Sequence, residues 1–221
     1  IAKLLLLHLR GKRMANIFKK FLFNSLQNGW SMVYPKHLEV ALEQKHVQNC
    51  TVLASRLDLL DVLPKNAVVA ELGVEHGLFS KEIIQRCSPI ELVLVDTWPD
   101  ESIKQECVAN VMIPEKTFLQ QTTSVEYLNS VDANTLDWVY IDTDHTYATT
   151  RAELEAAAKA VKPDGYICGH DYTSINYSGL KRYGVVEAVN EFCVKHNYEF
   201  IYLTSETTRH ISFALRKITS A

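Results

Sequence analysis

What this 221-residue chain lacks narrows its possibilities before any motif is read. It has no C-x-x-C pair, and its five cysteines, Cys50, Cys87, Cys107, Cys168 and Cys193, are odd in number and widely spaced. That argues against a zinc ribbon or a dithiol redox centre, and it predicts the reduced, mostly buried thiols of a cytoplasmic protein. Membrane spans are lacking too: the run from Leu4 to Leu7 is short, is broken by His8 and Arg10, and has no small-residue cleavage site of a signal peptide after it. Met14 is an alternative start, which would leave residues 1–13 as a cloning remnant. Nor is there an excess of either charge. Lys and Arg number 23 against 26 Asp and Glu, a net charge of -3 that exerts no pull toward nucleic acid or an anionic membrane. A small-molecule ligand is the default. There are no internal repeats or low-complexity linkers.

At 47% hydrophobic and 22% charged residues, the chain reads as one soluble domain with an N-terminal extension. From Ala15 to Asn28, Ile17, Phe18, Phe21, Leu22 and Leu26 recur at helical spacing. Such an amphipathic helix can bind a membrane surface, but packing on the domain or on a second subunit in a homo-oligomer is the commoner use. A second helical stretch is predicted from Pro35 to about Asp61, ending at Pro64-Lys65-Asn66. Residues 1–64 are therefore assigned as extension and covering helices, and 65–221 as the main domain.

From there strand and helix alternate with short gaps, as in a Rossmann-like, doubly wound, mostly parallel α/β sheet with helices on both faces. Strands are predicted at Ala67 to Leu72, Glu91 to Val95, Thr117 to Gln120, Leu136 to Ile141 and Tyr166 to Cys168. Helices are predicted at about Leu78 to Arg86, Glu101 to Val111, Ser124 to Asn129, Thr146 to Val161 and Val185 to His196. Two last strands, Glu199 to Leu203 and His210 to Leu215, are joined too tightly for a crossover helix and must form an antiparallel hairpin, which makes seven strands.

The run Trp138 to Tyr147 carries the densest chemistry. An apolar strand breaks, without a glycine, into Asp142, Asp144 and His145 and then into a helix. Thr143 and Asp144 fit a helix start, which leaves Asp142 and His145 unexplained by capping. The first strand of the alternating region ends in Glu71-Leu72-Gly73-Val74-Glu75-His76-Gly77. Its two glycines permit a tight turn, but the middle glycine of G-x-G-x-x-G is missing, and Glu71 and Glu75 suit a cationic ligand better than a pyrophosphate. The next strand ends at Asp96, about 20 residues on, where an acid accepts ribose hydroxyls in nucleoside-binding folds; Thr97 and Trp98 follow it. Trp98 belongs either beside an adenine or in the core. Asp142 and Asp171, at two strand ends, form an oxygen donor set for Mg²⁺ or a similar hard cation. Such a cation lowers the pKa of a substrate hydroxyl, and His145 is placed to take the proton.

Together, E-L-G-x-x-x-G, the acid after the second strand and the terminal hairpin resemble the class I S-adenosylmethionine-dependent methyltransferases over roughly Ala67 to Leu215. The resemblance implies S-adenosyl-L-methionine as cofactor. It implies Glu71, Gly73, Glu75, His76 and Gly77 around its methionine part, Asp96, Thr97 and Trp98 around its nucleoside, and, more loosely, Ser124 near the adenine. Asp142 would face both cofactor and acceptor, and His76 contacts the cofactor through its backbone. The motifs I-D-T-D-H-T-Y (141–147), K-P-D-G (162–165) and G-H-D-Y (169–172) are similar to a branch of sugar and natural-product O-methyltransferases related to metal-dependent catechol-type enzymes. Asp164 departs from that branch's first turn glycine. The branch implies Mg²⁺ or Mn²⁺ at Asp142 and Asp171, catalysis by Asp142 and His145, and an acceptor hydroxyl on a sugar or glycosylated metabolite. His170 stands where relatives carry a metal-binding acid; it is either a ligand, better suited to Mn²⁺ than to Mg²⁺, or a packing residue that orients Asp171. The loop from Tyr172 to Tyr183 is a candidate substrate lid. Two alternatives stand beside this reading: an NAD-dependent oxidoreductase, and a non-catalytic methyltransferase-like binding subunit.

Overall fold

The computed structural model describes residues 40–111, 115–176, 181–206 and 210–219, together with positions 17, 19–21 and 23–25. The chain divides into two compact units, Ile1–Leu38 and Glu39–Ala221. In the first, the described positions are helical, as the sequence spacing predicts, and Ile17, Phe21 and Phe23 are exposed. The remainder of that predicted helix, the residues before it and the first positions of the second predicted helix lie outside the described residues.

The second unit is built on an eight-stranded sheet. Its strands are β1 (Thr51–Leu53), β2 (Val68–Leu72), β3 (Glu91–Asp96), β4 (Thr117–Gln121), β5 (Leu136–Ile141), β6 (Val161–Gly169), β9 (Tyr198–Thr204) and β10 (Phe213–Lys217), with a separate ribbon of β7 (Ile175–Asn176) and β8 (Lys181–Arg182). The helices are α1 (Arg56–Val62), α2 (Leu78–Cys87), α3 (Glu101–Val111), α4 (Ser124–Ser130), α5 (Tyr147–Ala160) and α6 (Val185–His196). The order across the sheet is β1-β9-β10-β6-β5-β2-β3-β4. Only β10 runs antiparallel to its neighbours, between β6 and β9, so the terminal hairpin forms as expected.

One expectation fails. The predicted helix from Pro35 to Asp61 is, where described, a single 3-10 turn (Gln44–His46), then β1, then the short helix α1. β1 pairs in parallel with β9, Thr51 to Leu53 against Tyr202 to Thr204, and so adds an eighth strand. The outer edge of β9 needs partners for its backbone groups, and the β-branched Thr51-Val52 pair supplies them. Ser55 then starts a new helix by accepting from the Asp58 amide.

Side-chain alternation along the central strands feeds two cores. Val69, Leu92, Leu94, Trp138 and Tyr140 pack with α1, α2 and α3 through Leu59, Leu60, Ile83 and Cys107. Ala70, Leu72, Val93, Val95, Val139 and Ile141 point the other way, to α4, α5 and α6 through Leu128, Leu154, Ala157, Val189 and Phe192. Each fully buried Val, Leu, Ile or Phe among them contributes roughly 1.5–3 kcal/mol, so the central strands are held from both faces. The cysteines are free, four buried and Cys50 partly so. Among the described residues no helix is long and apolar enough to cross a membrane.

From β2 the chain moves outward through β3 to β4, then returns to place β5 on the other side of β2. The β2/β5 boundary is therefore a topological switch point, where open parallel sheets form a crevice beyond their strand ends. Gly184 ties this end of the sheet to α6, its amide donating to the His145 carbonyl at 2.9 Å. A Cβ there would collide with the Tyr147 backbone at the start of α5. Gly184→Ala is expected to lower stability by about 1–3 kcal/mol, seen as a reduced urea midpoint with an unchanged slope.

Candidate active site at the strand ends

Strand register assembles the site. Leu72 pairs with Val95 on one side and Ile141 on the other, Ile141 with Gly169, and Gly169 with Phe213. The next residues along the parallel strands are Gly73, Asp96, Asp142 and His170. Backbone bonds extend the row by one step: Gly73 N–H to the Val95 carbonyl at 2.9 Å, Asp142 N–H to Leu72 at 2.8 Å and His170 N–H to Ile141 at 3.0 Å. Beyond them opens a cavity of about 820 Å³. Of the sequence-predicted residues, Glu71, Gly73, Glu75, His76, Asp96, Thr97, Ser124, Asp142 and His145 line it.

Gly73 has φ +85°, and a Cβ on it would run into the Asp142 carbonyl, so only glycine lets β2 and β5 end this close together. Gly77 and Trp98 do not line the cavity, a correction to the cofactor set expected from the sequence. Gly77 opens α2 with φ +72°, and a Cβ there would meet Val111 Cγ1 at 2.9 Å and Cys107 Sγ at 3.1 Å, so α3 packing excludes a side chain. Trp98 is buried in the core, its indole N–H donating to the Glu75 carbonyl at 3.0 Å. That position serves the turn, not an adenine.

Asp96 holds the glycine turn in shape. Its Oδ2 accepts from the amides of Val74 (2.9 Å) and Glu75 (3.0 Å), and its Oδ1 from Trp98 N–H at 2.8 Å. Oδ1 keeps acceptor capacity toward the cavity. Glu71 is buried, and burial pushes its carboxyl up to about 8 despite the hydrogen bond from Ser80.

Sequence reading missed Glu153, a fully buried acid on α5. Its Oε1 accepts from Ser124 Oγ at 2.5 Å and Thr143 Oγ1 at 2.8 Å, while its Oε2 has no partner among the described residues. Burial raises its carboxyl to about 7. With both hydroxyl protons directed at Glu153, Ser124 and Thr143 present oxygen lone pairs to the cavity. Thr143 thus does not start α5. Thr146 caps that helix, and Asp144 supports the cap by accepting from Thr146 N–H at 2.9 Å and Thr149 Oγ1 at 2.9 Å.

On the β6 side, Asp142, His170 and Asp171 present one donor atom each, all within 4.8 Å of one another. His170 Nδ1 lies 3.2 Å from Asp171 and 3.7 Å from Asp142, and its Nε2 is buried without a partner among the described residues. His145 Nε2 lies 3.1 Å from Asp142 Oδ1 and 2.7 Å from Asp171 Oδ2. Burial opposes a charge on His145, but the bonds to the two carboxylates outweigh it and lift its pKa to about 9. Burial likewise opposes the charge on Asp171, and its histidine partners reverse that, holding it well below the usual carboxylate range. Two partners were not foreseen. His210, just before β10, bonds Asp171 through Nδ1, and Arg56, the first residue of α1, sits 3.7 Å from Asp142 Oδ2. Their places depend on β10 entering the sheet beside β6 and on the break between β1 and α1, neither of which a local pattern announces.

Glu75, Trp98, His145 and Asp171 all have positive φ, at +51°, +34°, +62° and +58°. Non-glycine residues in this region cost of order 1–3 kcal/mol each and gather where a site dictates backbone shape.

Residues 70–172 match a family described as a methyltransferase domain. Over those residues the chain carries a methyltransferase domain. Domains of this class are S-adenosylmethionine-dependent, which decides against the nicotinamide alternative. Among solved structures, the methyltransferase fold here is similar to the pyocyanin biosynthetic protein PhzM (TM-score 0.57, 13% identity, covering 73% of this chain and 54% of that one). It is also similar to the B. subtilis tRNA methyltransferase TrmK (0.55, 15%, 75% and 67%) and to an O-methyltransferase family protein from Burkholderia thailandensis (0.54, 12%, 75% and 56%). At such identities the likeness speaks for the fold alone, and the chain spans about half the length of PhzM. No curated protein matches it in sequence.

Glu71 offers a direct check on the electrostatics of the methyltransferase cavity. A carboxyl raised to about 8 when folded keeps its proton across a window in which the unfolded chain, with a value near 4.5, has lost it. Stability therefore declines as pH rises through that window. Glu71→Gln should remove the decline, so that the wild type falls behind the variant by on the order of 4 kcal/mol between pH 4.5 and 9, measured by urea unfolding.

Proposed function

We propose that this methyltransferase moves the methyl group of S-adenosylmethionine to a hydroxyl oxygen of a small molecule, a sugar or glycosylated compound being the favoured acceptor, with a divalent cation beside the reacting oxygen. One observation carries the reading: Asp142 and His145, just past the end of β5, line the same cavity as the glycine turn of β2, and Asp142 is shared with the donor cluster of His170 and Asp171 behind it.

The cavity suits the donor in size and chemistry. A volume of about 820 Å³ lies within the usual range for small-molecule sites. The free acceptor capacity of Asp96 suits a ribose hydroxyl, and the lone pairs of Ser124 and Thr143 suit an exocyclic amine such as that of adenine. Glu71 and Glu75 border the part of the turn assigned to the cationic methionine end.

The donor set at Asp142, Asp171 and His170 fits a cation by composition and spacing, His170 Nδ1 being the ring atom that faces the two carboxylates. Two oxygens and a nitrogen favour Mn²⁺ or Fe²⁺ over Mg²⁺. A cation held there would polarise the acceptor hydroxyl and lower its pKa. His145 would take the hydroxyl proton in its neutral form, which a cation on Asp142 and Asp171 would favour by offsetting the two carboxylate charges that lift the ring's pKa. Asp142 and Asp171 fix its orientation and stabilise the imidazolium that results, while Tyr183 stacks on its other side with ring centroids 4.5 Å apart. The four residues 177–180 of the loop read as a lid lie outside the described residues. Holding donor methyl and acceptor oxygen in line supplies much of the rate.

The test is transfer of a labelled methyl group to a mixed sugar and phenol panel, with and without EDTA. His145→Ala is expected to lower turnover by about 10²–10⁴-fold while leaving donor binding intact. Asp171→Asn is expected to abolish Mn²⁺ binding in calorimetry. Full turnover by His145→Ala would overturn the base assignment, and metal-independent activity would overturn the cation.

A further inference from the structure

The wall of the cavity is acidic apart from one guanidinium and the rings of His76 and His145, the latter already held by Asp142 and Asp171. Glu71, Glu75, Asp96, Asp142 and Asp144 line it, and Arg56 is its sole Arg or Lys among the described residues. The Arg56 side chain is only 16% exposed. Its Cζ lies over the Phe79 ring, 4.5 Å from the centroid, and its nearest anion is Asp142 Oδ2 at 3.7 Å, beyond hydrogen-bond length. Among the described residues it donates no hydrogen bond. A guanidinium has five N–H donors in a rigid planar fork, and leaving them desolvated and unpaired is costly. The fork matches a carboxylate, which it holds through two parallel bonds. The first turn of α2, which starts beside Phe79 and has no side-chain cap, borders the same space with its amides.

We infer that Arg56 is a donor-binding residue that grips the α-carboxylate of the methionine part of S-adenosylmethionine. The assignment rests on the proposed donor site. It explains why an unpaired guanidinium stands in a wall otherwise suited to the sulfonium and ammonium groups: the methionine end is a zwitterion, and its single negative group needs a separate partner. It also assigns Phe79 a task, as the platform on which the planar fork lies. Lysine, a point charge without the fork, would bind the same group less well. An anionic group on the acceptor shares this chemistry, so the experiment separates the two sources.

Calorimetry would compare three ligands on the full chain: S-adenosylmethionine, its decarboxylated form, which lacks only the carboxylate, and 5′-methylthioadenosine, which lacks the whole amino-acid end. The wild type is expected to prefer the carboxylated donor by about ten- to a hundredfold, the range of a charge-assisted bidentate contact. In Arg56→Met that preference should fall to about twofold or less, with methylthioadenosine affinity unchanged as proof of an intact nucleoside site. Arg56→Lys should fall between, and it decides the matter if the Met variant does not fold. A preference that persists undiminished in the variants overturns the inference. So does a wild type that binds both donors equally, the result expected if Arg56 serves an acceptor's anion instead. Failure of the wild type to bind any of the three ligands would instead sink the donor-site reading itself.

Discussion

Two carboxylates at the ends of neighbouring strands set the terms for the rest of the site. Asp142 follows β5 and Asp171 follows β6 by two residues, and parallel register brings both to one end of the sheet. Burying two acids side by side is costly unless positive partners surround them. Here His145 and His170 face both, His210 faces Asp171 and Arg56 faces Asp142. These partners come from four separate stretches of chain, so this charge balance ties α1, β5, β6 and β10 together. It also explains the left-handed backbone at His145 and Asp171: each main chain bends so that its side chain can reach the shared centre.

Asp96 shows how one residue serves shape and ligand at once. By accepting from Val74, Glu75 and Trp98 amides it fixes the turn that a middle glycine would otherwise have to relax. Trp98 then closes the other side by donating to Glu75. The turn is held by side chains instead of by backbone freedom. A sequence search for G-x-G-x-x-G passes over such a turn, because the missing glycine is replaced by an acid more than 20 residues away.

Much of the sheet was legible because it is buried on both faces. Runs such as Glu91 to Val95 and Leu136 to Ile141 alternate between two apolar cores and leave little ambiguity of type. The catalytic candidates were legible because they follow those runs directly. What escaped notice depends on pairing at a distance. Thr51 to Leu53 is too short to stand out from helical neighbours and becomes a strand only because β9 offers an edge. Arg56 was hidden inside the helix wrongly drawn through it. His210 looks like a solvent-side residue of a hairpin until β10 slides between β6 and β9. Glu153 sits among Leu154, Ala156 and Ala157, all buried, and its purpose appears only once Ser124 and Thr143 are seen to share it.

The cavity's charge is graded along its length, and this bears on which ligand it selects. At the β2 end lie Arg56, the largely protonated Glu71 and the exposed Glu75; at the α4 end, Ser124 and Thr143 carry their partial charge as lone pairs backed by Glu153. A dinucleotide's pyrophosphate would meet Glu71, Glu75 and Asp96 with one guanidinium in compensation, a poor balance in a poorly solvated wall. On the proposed assignment an amino-acid zwitterion joined to a nucleoside would balance well, its carboxylate meeting Arg56 and its cationic groups the acids. As a cation approaches Glu71, the ionised carboxylate becomes the favoured form, and the cost of burying that charge is offset by the ligand instead of by the protein. A protonated Glu71 therefore spares the cavity an uncompensated buried charge, and on the proposed assignment its ion pair would form only with the donor's cationic groups.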